Sequence, residues 1–149
     1  MMNKKYRKAV ILIVEDDSVM FQLAEIMFKR ANVVNSIQHV GDADAALDFL
    51  YKRNGYEDAP TPDLVYLDMY MPRMKGTELL QIMYEDPELS KIPTMMLTSS
   101  EADIDMEVAS EYGAVGYVMK PLSPAKIMET YLYNEKIKLQ FVVEDVDGS

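Results

Sequence analysis

Five short apolar runs alternate with helical patterns along this chain, and that alternation restricts the possible folds more than any other feature. The first run, Ala9 to Val14, is continuous and rich in β-branched residues, as expected of a strand buried on both faces. A weaker strand covers Ser36 to Val40. The third spans Leu64 to Asp68, the fourth Thr94 to Thr98 after Pro93, and the fifth Val115 to Met119. After the first strand, Met20, Leu23, Ala24, Met27 and Ala31 recur at helical spacing, with Asp16 or Asp17 as the cap that accepts first-turn N–H groups. Asp42 precedes a second helix with Ala46, Phe49, Leu50 and Arg53 on one side, and a Gly- and Pro-containing loop follows over 54–62. A turn with Met71, Pro72 and Gly76 leads into a third helix carrying Leu79, Leu80 and Met83. A fourth runs from about Ala102 to Tyr112, with Val108, Ala109 and Tyr112 as its apolar side. The fifth opens on Ser123-Pro124, a cap followed by proline at the first helical position, and carries Ile127, Met128, Tyr131 and Leu132. This order predicts one α/β domain, a parallel sheet with helices on both faces, in a chain of 149 residues.

In such sheets the ligand site lies beyond the carboxyl ends of the strands. Glu15, Asp16 and Asp17 follow the first strand, Asp68 ends the third, Thr98 and Ser99 end the fourth, and Lys120-Pro121 follows the fifth. Taken singly, the acids read as a solvated loop with a helix cap, Thr98 as a strand residue and Lys120 as a surface lysine. Asp68 is less ordinary, because a carboxylate closing a buried strand is costly without a partner. Their placement at matching ends of four strands makes the case for a site. Clustered carboxylates raise each other's pKa, and a divalent cation removes that penalty. Oxygen-only donors suit magnesium, manganese or calcium rather than zinc, and magnesium also binds phosphate. One carboxylate is then available as a nucleophile on phosphorus, with Lys120 and Thr98 to balance phosphoryl oxygens.

Composition narrows the alternatives. No cysteine is present, which excludes disulfides and thiolate metal sites. A net charge of −10 with only a short basic start argues against DNA binding by this chain. No apolar run approaches the roughly 18 residues of a membrane span. The stretch after the basic start is too short for a signal peptide, so a cytoplasmic protein without membrane partners is expected. The 13 methionines are expected mainly as core filler.

The ordered segments Ile-Leu-Ile-Val-Glu15-Asp16-Asp17, Leu67-Asp68-Met-Tyr-Met-Pro72 with Gly76, Leu97-Thr98-Ser99 and Gly116-Tyr117-Val-Met-Lys120-Pro121 resemble the receiver-domain signature of two-component response regulators. The spacing agrees, with thirty residues from Asp68 to Thr98 and twenty-two from Thr98 to Lys120. The resemblance runs from about Lys8 to about Asn134 and implies a flavodoxin-like, doubly wound five-stranded parallel sheet of order 2-1-3-4-5. It implies a receiver domain over 8–138, with a basic segment over 1–7 and an acidic C-terminal tail over 139–149, mobile from Val143. By the same resemblance Asp68 is the phosphoacceptor. Magnesium (or manganese) is held by the Asp16 and Asp68 side chains and the Tyr70 backbone carbonyl, with Glu15 acting through a metal-bound water. Asp17 is an adjacent acid outside the ligand set. Lys120 bridges to the phosphoryl group, and Thr98 and Tyr117 form a switch pair that repacks the helix 4–strand 5–helix 5 face. The implied partner is a sensor histidine kinase or phosphotransfer protein, and the implied activity is a signalling switch with self-phosphotransfer and autodephosphorylation only. Tyr70 and Ser100 stand where the family tunes phosphoryl lifetime, and a bulky Tyr70 implies slow loss. The long loop over 54–62 resembles single-domain regulators paired with phytochrome-type histidine kinases.

Three other readings fit less well. A phosphatase with Asp68 as nucleophile would carry a second acid two residues on, where Tyr70 stands. An adaptor without phosphorylation would not need Asp16, Asp68, Thr98 and Lys120 together. A nucleotide or flavin binder would show a Gly-rich loop after strand one, where acids stand instead. About ten residues after the last helix leave no room for an output module, so output by protein contact is expected, including a possible homodimer. The stretch Leu139 to Val143 is open to pairing with a partner or another copy, or to packing on the core. His39, the one histidine, is placed away from the acidic rim and lacks companion ligands.

Overall fold

The computed structural model describes residues 3–31, 36–99, 103–133 and 141–146. Its strands are β1 (Asn3–Lys8), β2 (Val10–Val14), β3 (Ser36–Val40), β4 (Leu64–Asp68), β5 (Thr94–Thr98), β6 (Gly116–Met119) and β7 (Phe141–Val146). Its helices are α1 (Ser18–Arg30), α2 (Ala43–Tyr51), α3 (Gly76–Glu85), α4 (Asp103–Glu111) and α5 (Pro124–Tyr133), with a 3-10 turn at Leu89–Lys91. Five strands form one parallel sheet in the order β3-β2-β4-β5-β6. Counted within that sheet the order is 2-1-3-4-5, as expected. The fifth sheet strand is β6, so the helix 4–strand 5–helix 5 face is α4, β6 and α5.

The three central strands are buried throughout, which is why they read as unbroken apolar runs. One core lies against α2, α3 and α4 and contains Leu12, Val14, Phe49, Leu67, Leu79, Met83 and Met96. The other lies against α1 and α5 and contains Ile11, Ile13, Phe28, Tyr66, Leu97 and Ile127. Five methionines (Met69, Met71, Met83, Met95 and Met96) are buried, in keeping with their expected role as filler.

Caps fall where the acids and Ser123 predict. Asp17, not Asp16, caps α1, accepting from Val19 N at 2.9 Å and Met20 N at 3.3 Å. Asp42 caps α2, accepting from Ala45 N at 2.7 Å, and Ser123 Oγ accepts from Lys126 N at 3.2 Å.

Two helix faces differ from the expectation. On α1 the buried side is Ala24, Phe28 and, just past its end, Ala31, while Leu23 is 40% exposed and forms an outward stripe with Val19 and Ile26. The helix carries apolar residues on both sides, and the side with Ala24 and Phe28 is the one that docks. On α2, Arg53 does not share the buried face. The helix stops at Lys52, which is left-handed at φ 55°, and Arg53 reaches back to Asp48 at 2.9 Å. Tyr131, Leu132 and Ser100 lie outside the described side chains. The expected terminal segments contain structure. β1 pairs antiparallel with β7, Asn3 opposite Val146 and Lys8 opposite Phe141, so Phe141 to Val146 form a strand. Among the described residues, no helix is long and apolar enough to cross a membrane.

Candidate metal and phosphoryl site

The strand order reverses at β2, which sits between β3 and β4, and such a switch point opens a crevice at the carboxyl ends of the strands. Glu15 and Asp16 leave β2 there, and Asp68 is the last residue of β4 beside it. Carboxylate oxygens of Glu15, Asp16 and Asp68 all lie within 4.8 Å of one another. Glu15 and Asp68 are buried, each 2% exposed, and Asp16 is exposed. Lys120, brought in by the end of β6, places its Nζ 2.8 Å from Glu15 Oε1 and 3.1 Å from Asp68 Oδ1. The Lys120–Pro121 peptide is cis, and Lys120 N donates to the Thr98 carbonyl at 2.7 Å.

The electrostatics follow from burial and crowding. Burial first, and the neighbouring Glu15 second, push the Asp68 carboxyl up to about 7, with Lys120 offsetting part of the rise. Burial also pushes Glu15 upward, but its contacts with Asp68 and Lys120 outweigh this and hold it below the usual range. Burial works against the charge of Lys120, yet the hydrogen bond it donates to Glu15 and the charge of Asp68 hold its ammonium above its ordinary value. One lysine thus faces more negative charge than it balances. The donor set is three carboxylate oxygens with no nitrogen or sulfur, a set that fits a hard divalent cation, whose charge would relieve the remaining repulsion.

Of the residues named from the sequence, Glu15, Asp16, Asp68 and Lys120 are brought together at this rim, with two qualifications. Glu15 is committed to Lys120 through Oε1, while its Oε2 accepts from Asp17 N at 3.5 Å. Asp17 spends its own carboxylate on the α1 cap and does not join the cluster. Tyr70 follows Asp68, donating its N–H to Asp68 Oδ1 at 3.2 Å while its ring is 40% exposed. Thr98 is buried at the end of β5, and Tyr117, on β6, is 51% exposed.

Sequence reasoning placed Gly76 in the turn without giving its role, and missed two further supports, Arg73 and the contact of His39. A Cβ at Gly76 would overlap the Asp68 carbonyl oxygen, so the start of α3 closes onto the Asp68 backbone only because this residue is glycine. Arg73, at φ 69°, pins the loop after Asp68 to the α2 cap residue Asp42 at 3.1 Å. His39 reaches the Glu15 backbone, a contact with no sequence signature. The expectation that it lies away from the acidic rim is therefore corrected.

Comparison with known proteins agrees with this geometry. Residues 11–132 match the response regulator receiver domain family. Response regulator Rcp1 of Synechocystis is 32% identical over 111 residues, covering 74% of this chain and 76% of that protein. The crystal structure of the Mn(2+)-bound form of Rcp1 superposes with a TM-score of 0.76 at 28% identity, covering 89% of this chain and 99% of the other. That of the phosphorylated cyanobacterial phytochrome response regulator RcpA superposes with a TM-score of 0.75 at 25% identity, covering 84% and 94%. The fold, the rim of acids beside one lysine and these matches agree, and the chain belongs to the response regulator receiver domain family of two-component signalling.

Proposed function

We propose that this receiver domain is a cytoplasmic phosphorelay switch that accepts a phosphoryl group on Asp68 from a histidine kinase or phosphotransfer protein, in a magnesium-dependent reaction. The observation that carries this reading is the buried Asp68 carboxylate held 3.1 Å from Lys120 Nζ, with two further carboxylates within 4.8 Å. Asp16 and Asp68 would hold the metal through their side chains and Tyr70 through its backbone carbonyl, with Glu15 acting through a bound water. Magnesium, or manganese in its place, supplies charge neutralisation for the phosphoryl oxygens. The manganese-bound and phosphorylated relatives support both parts of the reading.

In the transfer, an Asp68 oxygen attacks the phosphorus of a phosphohistidine. The O–P bond forms as the P–N bond breaks, and the imidazole nitrogen leaves with the electron pair and takes up a proton. Lys120 then exchanges part of its pairing with Asp68 and Glu15 for a phosphoryl oxygen, and the Thr98 hydroxyl donates to another. Thr98 is buried and Tyr117 exposed, and in this reading the hydroxyl moves inward toward the phosphoryl group and the ring follows it. Signalling by protein contact then proceeds through α4, β6 and α5, a face whose sheet strand β6 has, among the described residues, a partner on one side only. The kinase is of the phytochrome-like type, by likeness to the phytochrome response regulator RcpA, and a homodimer is a second output of this reading. Tyr70, exposed beside Asp68, shields the phosphoryl group from water. A phosphoryl lifetime no longer in wild type than in Tyr70→Asn would contradict this.

The test is incubation with a small-molecule phosphodonor and magnesium, read by intact mass. Wild type gains one phosphoryl group, and Asp68→Asn, or wild type with chelator, gains none. Equal modification of Asp68→Asn would overturn the assignment.

A further inference from the structure

His39 lies on β3 opposite Ile13 of β2. Its Nε2 is 2.7 Å from the Glu15 carbonyl oxygen, and its ring stacks on Phe21 of α1, 4.0 Å between centroids and 10° between planes. A carbonyl oxygen only accepts, so Nε2 carries a hydrogen and donates it. The Glu15 N–H is bonded to the Val40 carbonyl at 3.1 Å. Glu15 is therefore gripped by β3 on both its N–H and its C=O, the second grip being a side chain held in place by a stacked ring.

That carbonyl belongs to the peptide joining Glu15 to Asp16, so its plane sets the direction in which Asp16 leaves the strand. Glu15 has Lys120 to fix its carboxylate and Asp17 has the α1 N-terminus. Asp16 has neither: among the described residues, no hydrogen bond or ion pair restrains its exposed carboxylate. Its aim depends on the backbone alone.

We propose that His39 is a positioning residue of the metal site: through Nε2 it holds the Glu15–Asp16 peptide so that the Asp16 carboxylate faces Asp68. This rests on the reading of the acid cluster as a divalent cation site. Partners that orient ligands from behind are worth roughly 10- to 100-fold in metal affinity. The lower end applies here, because the grip is on backbone rather than on the ligand.

Two variants separate the donor from the ring. His39→Phe keeps a stacking ring and removes the donor, and His39→Gln keeps an N–H at similar reach and removes the ring. Manganese binding would be measured by calorimetry, and by the loss of the free-ion electron paramagnetic resonance signal. The temperature is one where circular dichroism shows every variant folded. Wild type is expected to bind one ion, His39→Phe about tenfold more weakly, and His39→Gln within about threefold of wild type. His39→Phe binding as tightly as wild type, or both variants weakened alike, overturns the positioning role. Wild type binding no better than Asp16→Asn overturns the metal-site reading itself, and the positioning role with it.

Discussion

The ammonium nitrogen of Lys120 lies 3.1 Å from Oδ1 of Asp68, across the gap between the ends of β6 and β4. It is the cation that lets a buried strand end in a carboxylate. Replacing it with the similarly shaped Lys120→Met leaves Glu15 and Asp68 facing each other without compensation. Breaking a buried pair on one side is strongly destabilising, although Asp68 can relieve part of the loss by taking up a proton. A fall of about 2 kcal/mol in the metal-free protein at neutral pH is expected by urea denaturation. A change under about 0.5 kcal/mol would contradict the role.

Asp68 also gives the metal-free protein an unusual pH response. In the unfolded chain it ionises near 3.8, and in the fold at about 7, so between these values the native state binds the extra proton. Stability then falls as pH rises through that window. The lowered carboxyls of Glu15, Asp48, Glu57 and Asp86 act only below their ordinary range, and the raised Lys120 only above its own, so neither cancels the trend. A loss of about 1–2 kcal/mol from pH 5 to pH 8 is expected, allowing for solvent screening. Asp68→Asn should flatten the profile, and magnesium at about a hundred times its Kd should add roughly 2.7 kcal/mol to wild type at the upper end. Wild-type stability that rises over this range would contradict the assignment.

Tyr66 is fully buried two residues before Asp68, edge-on to Phe28 at 5.5 Å, and among the described residues its hydroxyl makes no aligned hydrogen bond. The nearby Thr130 hydroxyl donates to the Lys126 carbonyl at 3.1 Å instead. A buried hydroxyl without a partner is a net cost, so Tyr66→Phe should stabilise the protein by about 1 kcal/mol. A lower melting temperature in the variant would show that the hydroxyl is satisfied.

Gly76 is held where any side chain meets backbone. Its N–H donates to the Met69 carbonyl at 3.0 Å while a Cβ would overlap the carbonyl oxygen of Asp68. Gly76→Ala should cost about 3 kcal/mol and move the Asp68 backbone, so metal binding weakens as well. Unchanged urea midpoint and metal affinity would show that the loop yields freely.

The sheet and the rim were readable because β2, β4 and β5 are buried on both faces and because topology puts strand ends at the site. The docked side of α1 was not. Leu23 and Phe28 are both apolar and five residues apart, so the helical pattern by itself does not say which of them is buried. The contact of His39 was hidden for a different reason: its acceptor is a main-chain carbonyl, which every residue has. The pairing of β1 with β7 was hidden by distance, since Lys5 and Glu144 meet across nearly the whole chain.

That last pairing has a practical side. With Asn3 opposite Val146, the two outermost paired residues are direct neighbours. Fluorophores attached at Asn3 and Val146 would sit side by side. An energy-transfer reporter built that way would register fraying of the two-stranded ribbon, so labels meant to test the proposed switch belong on α4 or α5 instead.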